Sequence, residues 1–270
     1  MKNILSEIVK YKRAEVARQK QLVPQNELMQ SVDFTRTGIS LKEKLRDQNS
    51  FGLIAEFKRR SPSQGLMHAK AAVASVTAGY CRVGAVAISV LTDAHFFGGS
   101  LDDLVTARRV VPSPILRKDF VVDEYQIIES KSAGADAILL IASVLESLQI
   151  REFTDLAHEL GLEVVLEVHD EHELRENTEV PVDVIGVNNR NLTTFNVSVE
   201  TSIRLAGIIP EGMTRISESG LESPVEIIGL KRLGYHGFLI GQRFMHHADP
   251  VQACDAFLRN IEQLTVNSAS

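Results

Sequence analysis

Leu53-Ile54-Ala55-Glu56-Phe57-Lys58 is an apolar run of strand length that ends in charge. Apolar side chains in continuous succession suit a parallel strand covered on both faces. The same reading applies to Pro114-Ile115-Leu116-Arg117-Lys118, Val164-Val165-Leu166-Glu167, Val184-Ile185-Gly186-Val187-Asn188 and Arg215-Ile216-Ser217-Glu218-Ser219. Each ends in an ionisable or amide group, although burying an unpaired charge is costly. Stability alone gives no reason for the repetition. It points to one polar site shared by the C-terminal ends of the strands of a barrel.

Outward from these runs, the chain after Phe51 repeats one unit: strand, polar loop, amphipathic helix, glycine, next strand. Gly84, Gly134, Gly161 and Gly234 follow helix-like segments and precede apolar runs, as left-handed helix caps do. Ser100, three residues before Asp103, marks one helix start, and Asp249-Pro250 marks another. Eight strands are expected near residues 53, 86, 115, 138, 164, 185, 215 and 238. Their spacing predicts an α/β fold, a (β/α)8 TIM barrel. A doubly wound open sheet would more usually have about five or six strands and a glycine-rich first turn. No GxGxxG or Walker motif occurs. The expected organisation is one barrel domain over residues 1–270. Residues 1–50 form an N-terminal helical extension packed on it, broken at Pro24 and helical again from Leu41 to Arg46. Such a segment would cover one mouth of the barrel and contribute to a lid.

The composition is that of an ordinary globular protein, with 44% hydrophobic and 24% charged residues. A net charge of −6 argues against a nucleic-acid surface but leaves room for a local anion pocket. Cys81 and Cys254 are far apart, lie in helix-like segments and read as small core residues in a reducing compartment. No apolar stretch approaches transmembrane length, so no membrane partner is expected. The basic N-terminus resembles a transit peptide, but Glu7 and Glu15 count against that reading. Ile4, Leu5, Ile8 and Val9 instead form a stripe for packing on the barrel.

Glu56 and Lys58 are two apart, so in extended backbone they share a side. They are either catalytic or a structural ion pair. Lys118, two residues after Leu116, is expected to project inward with a pKa lowered by desolvation, as a general acid. The plain alternative is a surface lysine paired with Asp119 or Asp123. Glu167 shares the inward parity of Val165, Asn188 ends the sixth strand, and Glu218 with Ser219 ends the seventh. Ser219-Gly220 and Gly241-Gln242 follow strands seven and eight, whose loops bind phosphate in many barrels through backbone N–H groups. Gly220 and Gly241 are the expected phosphate-binding positions, and Arg190 can add a bidentate contact. Metal binding at His169-Asp170-Glu171-His172 is not expected, because a helix start explains the acids and the spacing suits no metal site well.

The residues together resemble the indole-3-glycerol-phosphate synthase family. The resemblance rests on Ala55-Glu56-Phe57-Lys58-Arg59-Arg60-Ser61-Pro62-Ser63, Ser89-Val90-Leu91-Thr92-Asp93, and Phe96-Phe97-Gly98-Gly99-Ser100. It continues in Ile115-Leu116-Arg117-Lys118-Asp119-Phe120, Gly186-Val187-Asn188-Asn189-Arg190-Asn191-Leu192 and Ser217-Glu218-Ser219-Gly220. The resemblance implies conversion of 1-(2-carboxyphenylamino)-1-deoxyribulose 5-phosphate to indole-3-glycerol phosphate, with loss of carbon dioxide and water. It implies no cofactor or metal and a cytoplasmic protein of tryptophan biosynthesis. The expected state is a monomer whose association with other tryptophan-pathway enzymes is weak. By the same resemblance Lys118 is the ring-closure acid, and Glu167 and Lys58 serve dehydration and carboxylate anchoring. Glu56 is a base or orienter, with Asn188, Glu218 and Ser219 in support. Ser61, Phe97, Phe120 and Leu192 are substrate-binding positions. Two residues depart from the family pattern. Gln242 stands where relatives often carry a small or acidic residue, which removes a hydroxyl contact, and Asn191 replaces an acid that would help position Arg190.

Two other readings remain open at this level. A phosphoribosylanthranilate isomerase would need a Cys and an Asp at the strand ends, but both cysteines are expected in helices. A non-catalytic binding barrel would show eroded polar strand ends, whereas these are all filled.

Overall fold

The eight apolar runs are eight parallel strands closed into a barrel. A computed structural model describes residues 4–191 and 194–269. In chain order the barrel strands are β1 (Leu53–Phe57), β2 (Ala87–Leu91), β3 (Ile115–Lys118) and β4 (Ala137–Ile141), then β5 (Glu163–Val168), β6 (Val184–Asn188), β7 (Thr214–Glu218) and β8 (Gly237–Ile240). Each pairs in parallel with its sequence neighbours, and β1 closes on β8 through Leu53 opposite Phe238. The expected helix stops are present: Gly84, Gly134, Gly161 and Gly234 all have positive φ. Ser100 caps Leu101–Arg108 by accepting from Asp103 N, and the helix Pro250–Ala269 begins at the expected proline.

The pleat sorts the buried side chains into two groups. Leu53, Ala55, Phe57, Ile88, Ile115, Ile138, Val164, Ile185 and Phe238 face the surrounding helices. Ile54, Ala87, Leu116, Leu139, Val165, Val184, Ile216 and Leu239 fill the inside. Steps of two along the inner file lead from Ile54 to Glu56, from Leu116 to Lys118, from Val165 to Glu167 and from Ile216 to Glu218. One alternation therefore makes an apolar plug and, above it, a polar layer. Arg117 has the opposite parity. Its guanidinium turns outward to Glu129 Oε2 at 2.7 Å and Gln126 O at 3.0 Å, inside the helical layer.

The N-terminal segment serves both ends of the barrel, not one mouth. It contains α1 (Ile4–Leu22), α2 (Gln25–Leu28) and α3 (Leu41–Arg46). At the strand starts, Ser40 caps α3 and donates to Glu163 Oε1, Lys42 N donates to Glu163 Oε2 at 2.8 Å, and Arg46 Nε donates to Thr214 Oγ1 at 2.8 Å. Leu41 and Leu45 continue the inner apolar group, and Gly237 lacks the side chain that would collide with Leu45. At the strand ends, Lys12 of α1 reaches Asp93 and Asp119. Two short strands, Arg60–Ser61 and Gly65–Leu66, form a ribbon above β1.

Because Leu45 is buried beneath the barrel, its truncation leaves a cavity. Leu45→Ala is expected to destabilise the protein by about 2–5 kcal/mol. The shift of the urea unfolding midpoint measures this, and an unchanged midpoint would contradict the plug.

Candidate active site

The polar layer surrounds a cavity of about 570 Å³ at the C-terminal ends of the strands. At its centre Lys118 Nζ donates to Glu167 Oε2 at 2.7 Å and to Glu218 Oε2 at 2.8 Å. Glu167 Oε1 also accepts from Asn188 Nδ2 at 3.0 Å. Glu56 and Lys58 form an ion pair of 2.5 Å beside them. Glu218 is held differently from Glu167. Its Oε1 has no hydrogen-bond partner among the described residues. Glycine at 186 leaves room for that oxygen, since a β-carbon there would meet it at 2.8 Å.

These contacts separate the charge states. Burial opposes the charge on Lys118, but Glu167, Glu218 and Glu56 outweigh it and raise the pKa. The expected lowering by desolvation is thus reversed, because three carboxylates surround the amine. Neither alternative partner takes it either: Asp119 binds Lys12, and Asp123 binds Lys20. Burial also opposes the Glu167 anion, but Lys118 and His169 hold that carboxyl well below the usual range. For Glu218, burial prevails, with help from the neighbouring carboxylates and against Lys118, and the pKa is pushed up to about 7.

One wall is aromatic: the rings of Phe97 and Phe120 lie 6.0 Å apart. The opposite wall is built from loops. Ser219 and Gly220 both have positive φ, and Asn189 Nδ2 donates to Ser219 O at 3.1 Å to hold that conformation. A side chain at 241 would collide with Glu56, so glycine there admits the carboxylate as well as exposing backbone. Arg190 N donates to Asn188 Oδ1 at 2.9 Å, and its Nη2 donates to Gln242 Oε1 at 3.3 Å.

A family model described as indole-3-glycerol phosphate synthase matches residues 5–257. The chain belongs to this family. It is 46% identical over 262 residues to the indole-3-glycerol phosphate synthase of Bacteroides thetaiotaomicron, covering 97% of this chain and 100% of the relative. It is 41% identical to the enzyme of the same name from Caldanaerobacter subterraneus, covering 90% of this chain and 93% of the relative. Thiamine phosphate pyrophosphorylase from Pyrococcus furiosus shares the fold, with a TM-score of 0.59 at 16% identity, over 83% of this chain and 99% of that one.

The structure brings to one cavity every residue singled out for the family's site except Leu192, which lies outside the described residues. Ser61 lies in the ribbon, where its Oγ accepts from Gln64 N at 3.3 Å. Arg59 faces Asp103 instead and ties this loop to the helix Leu101–Arg108. Gln242, a departure from the family pattern that removes a hydroxyl contact, is the acceptor that meets Arg190. Cys81 and Cys254 lie in helices, away from the strand ends.

His169 was missed. It continues the inward parity from Glu167, which was the available signal. Its Nε2 stands 3.3 Å from Glu167 Oε1, a charge contact without aligned hydrogen-bond geometry. Its Nδ1 stands 3.1 Å from Glu173 Oε2. His172 points elsewhere and meets Glu176. Burial disfavours the His169 cation, but Glu167 and Glu173 prevail and raise its pKa to about 10.

A raised folded pKa gives stability that is complete below the unfolded value of 6.5 and is lost as pH rises through about 10. The melting temperature of the parent chain should therefore converge on that of His169→Gln over this interval. A constant difference would overturn the charged assignment.

Proposed function

We propose that the cavity performs the family's ring closure, with loss of carbon dioxide and water, on 1-(2-carboxyphenylamino)-1-deoxyribulose 5-phosphate. The observation that carries this reading is the Lys118 ammonium between Glu167 and Glu218, with an aromatic wall on one side and glycine loops with Arg190 on the other. The substrate has matching ends. Its carboxyphenyl ring lies against Phe97 and Phe120, with Ser61 completing that end. Its phosphate takes the backbone N–H groups around Gly220 and Gly241 and the guanidinium of Arg190. The distance between the two ends sets the ketone near Lys118.

In the first step the ring carbon bearing the carboxylate attacks the ketone carbon, and oxygen takes up the electron pair. Lys118 donates a proton to this developing alkoxide. An alkoxide is far more basic than an amine, so a firmly protonated lysine is a competent donor. Carbon dioxide then leaves and returns its bonding pair to the ring. Lys58, oriented by Glu56, holds the departing carboxylate. In the final step the hydroxyl leaves as water with a proton from an acid, while the adjacent methylene gives a proton to a base. Glu167, held anionic, suits the base. Glu218, with its pKa pushed up to about 7, suits the acid. Asn188 steadies Glu167, and Ser219 shapes the phosphate loop.

None of the described helices is long and apolar enough to cross a membrane. Our reading is of a cytoplasmic monomer, with barrel and N-terminal segment acting as one domain and contact with other pathway enzymes weak.

The chain contains no Trp, so indole formation can be followed by fluorescence without an intrinsic indole background. Adding substrate should produce a growing signal. Lys118→Met should lower turnover by at least about 100-fold while retaining substrate binding. Near-normal turnover by that variant would remove Lys118 from the acid role. Absence of signal from the folded parent chain would refute the reaction.

A further inference from the structure

The side chain of Lys12 is almost completely buried, yet it carries charge and lies outside the reacting centre. Its Nζ is 2.9 Å from Asp93 Oδ2, 2.9 Å from Asp119 Oδ1 and 2.8 Å from Glu15 Oε2. Asp93 and Asp119 begin the loops after β2 and β3. Asp93 caps the short helix Ala94–Phe97 by accepting from Phe96 N and Phe97 N. Asp119 accepts from Phe120 N at 2.8 Å through the oxygen that meets Lys12, while its other oxygen takes Thr92 Oγ1 at 2.6 Å. One ammonium thus joins the two carboxylates that set the backbone of Phe97 and Phe120. The neighbouring Tyr11 stacks on His95 at 4.3 Å and meets Phe96 edge-on at 5.7 Å, fastening α1 to the same short helix.

We propose that Lys12 is a positioning residue for substrate recognition: from α1 it locks together the loops carrying Phe97 and Phe120, and so sets the width of the aromatic wall that receives the substrate's carboxyphenyl ring. The spacing along α1 supports this. Lys12 lies one turn after Ile8 and two turns after Ile4 and Leu5, on one helix face. Those three residues line the cavity while Lys12 anchors their helix. An ammonium buried at this depth is tolerated because carboxylates surround it, and the same requirement holds it in place among them. Arg117 approaches Asp119 Oδ2 at 3.3 Å from the helical layer, so the lock is also tied to the barrel wall.

This inference rests on the proposed substrate for the identity of the ring-bearing ligand, and binding can be measured without turnover. Two probes separate the ends of the cavity. One is the substrate with its ketone reduced to an alcohol, which cannot close the ring. The other is inorganic phosphate, which reports the loop wall alone. In Lys12→Met the dissociation constant of the reduced substrate should rise by about ten-fold or more, the scale of a lost apolar fit. That of phosphate should stay within about two-fold. A purely structural role would weaken both in parallel, and that result, like no change in either, would overturn the proposal. Asp93→Asn provides the second variant should Lys12→Met not fold, since Asn still caps the short helix while the charge that meets Lys12 is removed. It should shift the same ligand in the same direction by a smaller factor, and unaltered binding of the reduced substrate would again refute the lock. Turnover by the parent chain tests the reaction separately, so failure of either reading is seen alone.

Discussion

The alternation of side chains along a closed ring of parallel strands is the constraint on which everything else rests. Every second residue of a strand must face either the interior or the helices. The interior is narrow, so its lower part is filled by Ile54, Leu116, Val165, Ile216 and Leu239. Once this plug is made, the next inward positions are no longer needed for packing. They become the place where Glu56, Lys118, Glu167 and Glu218 meet. The apolar plug and the polar layer are consecutive stretches of one file, and the packing of the first fixes the geometry of the second.

Charge in that layer is arranged in contacts of different strength. Glu167 is surrounded by Lys118, Asn188 and His169, whereas Glu218 has Lys118 on one oxygen and no hydrogen-bond partner among the described residues at the other. Two carboxylates on one lysine therefore differ in their readiness to hold a proton. In the reaction we propose, this division sets a single amine between an acid and a base. Its origin is structural: glycine at 186 leaves the recess for Glu218, and His169, just beyond β5, stands against Glu167.

The strands, the glycine caps and the strand-end residues were legible because each follows from a local rule of period or capping. Lys58 could be paired with Glu56 for the same reason, since two residues in extended chain share a side. Long-range electrostatics were not legible. A desolvated Lys118 suggested a lowered pKa, but the balance depends on Glu167 and Glu218 arriving from strands 49 and 100 residues away. Gln242 looked like a lost contact until the fold placed it beside Arg190. His169 and Lys12 were hidden in plain patterns, one a step of two from Glu167 and the other a step of four from Ile8. Each becomes meaningful only with its partner from another element.

The N-terminal segment binds at both ends of the barrel, and its partners lie far along the chain from it. Ser40 needs Glu163, Arg46 needs Thr214 and Lys12 needs Asp119. Each of these contacts thus closes a long loop of chain. Until β7 and β8 are made, the apolar faces of α1 and α3 have no complete surface to cover, and closing these long loops must await barrel formation. The arm spans the closed cylinder and joins its two rims, so docking of the N-terminal segment depends on barrel closure.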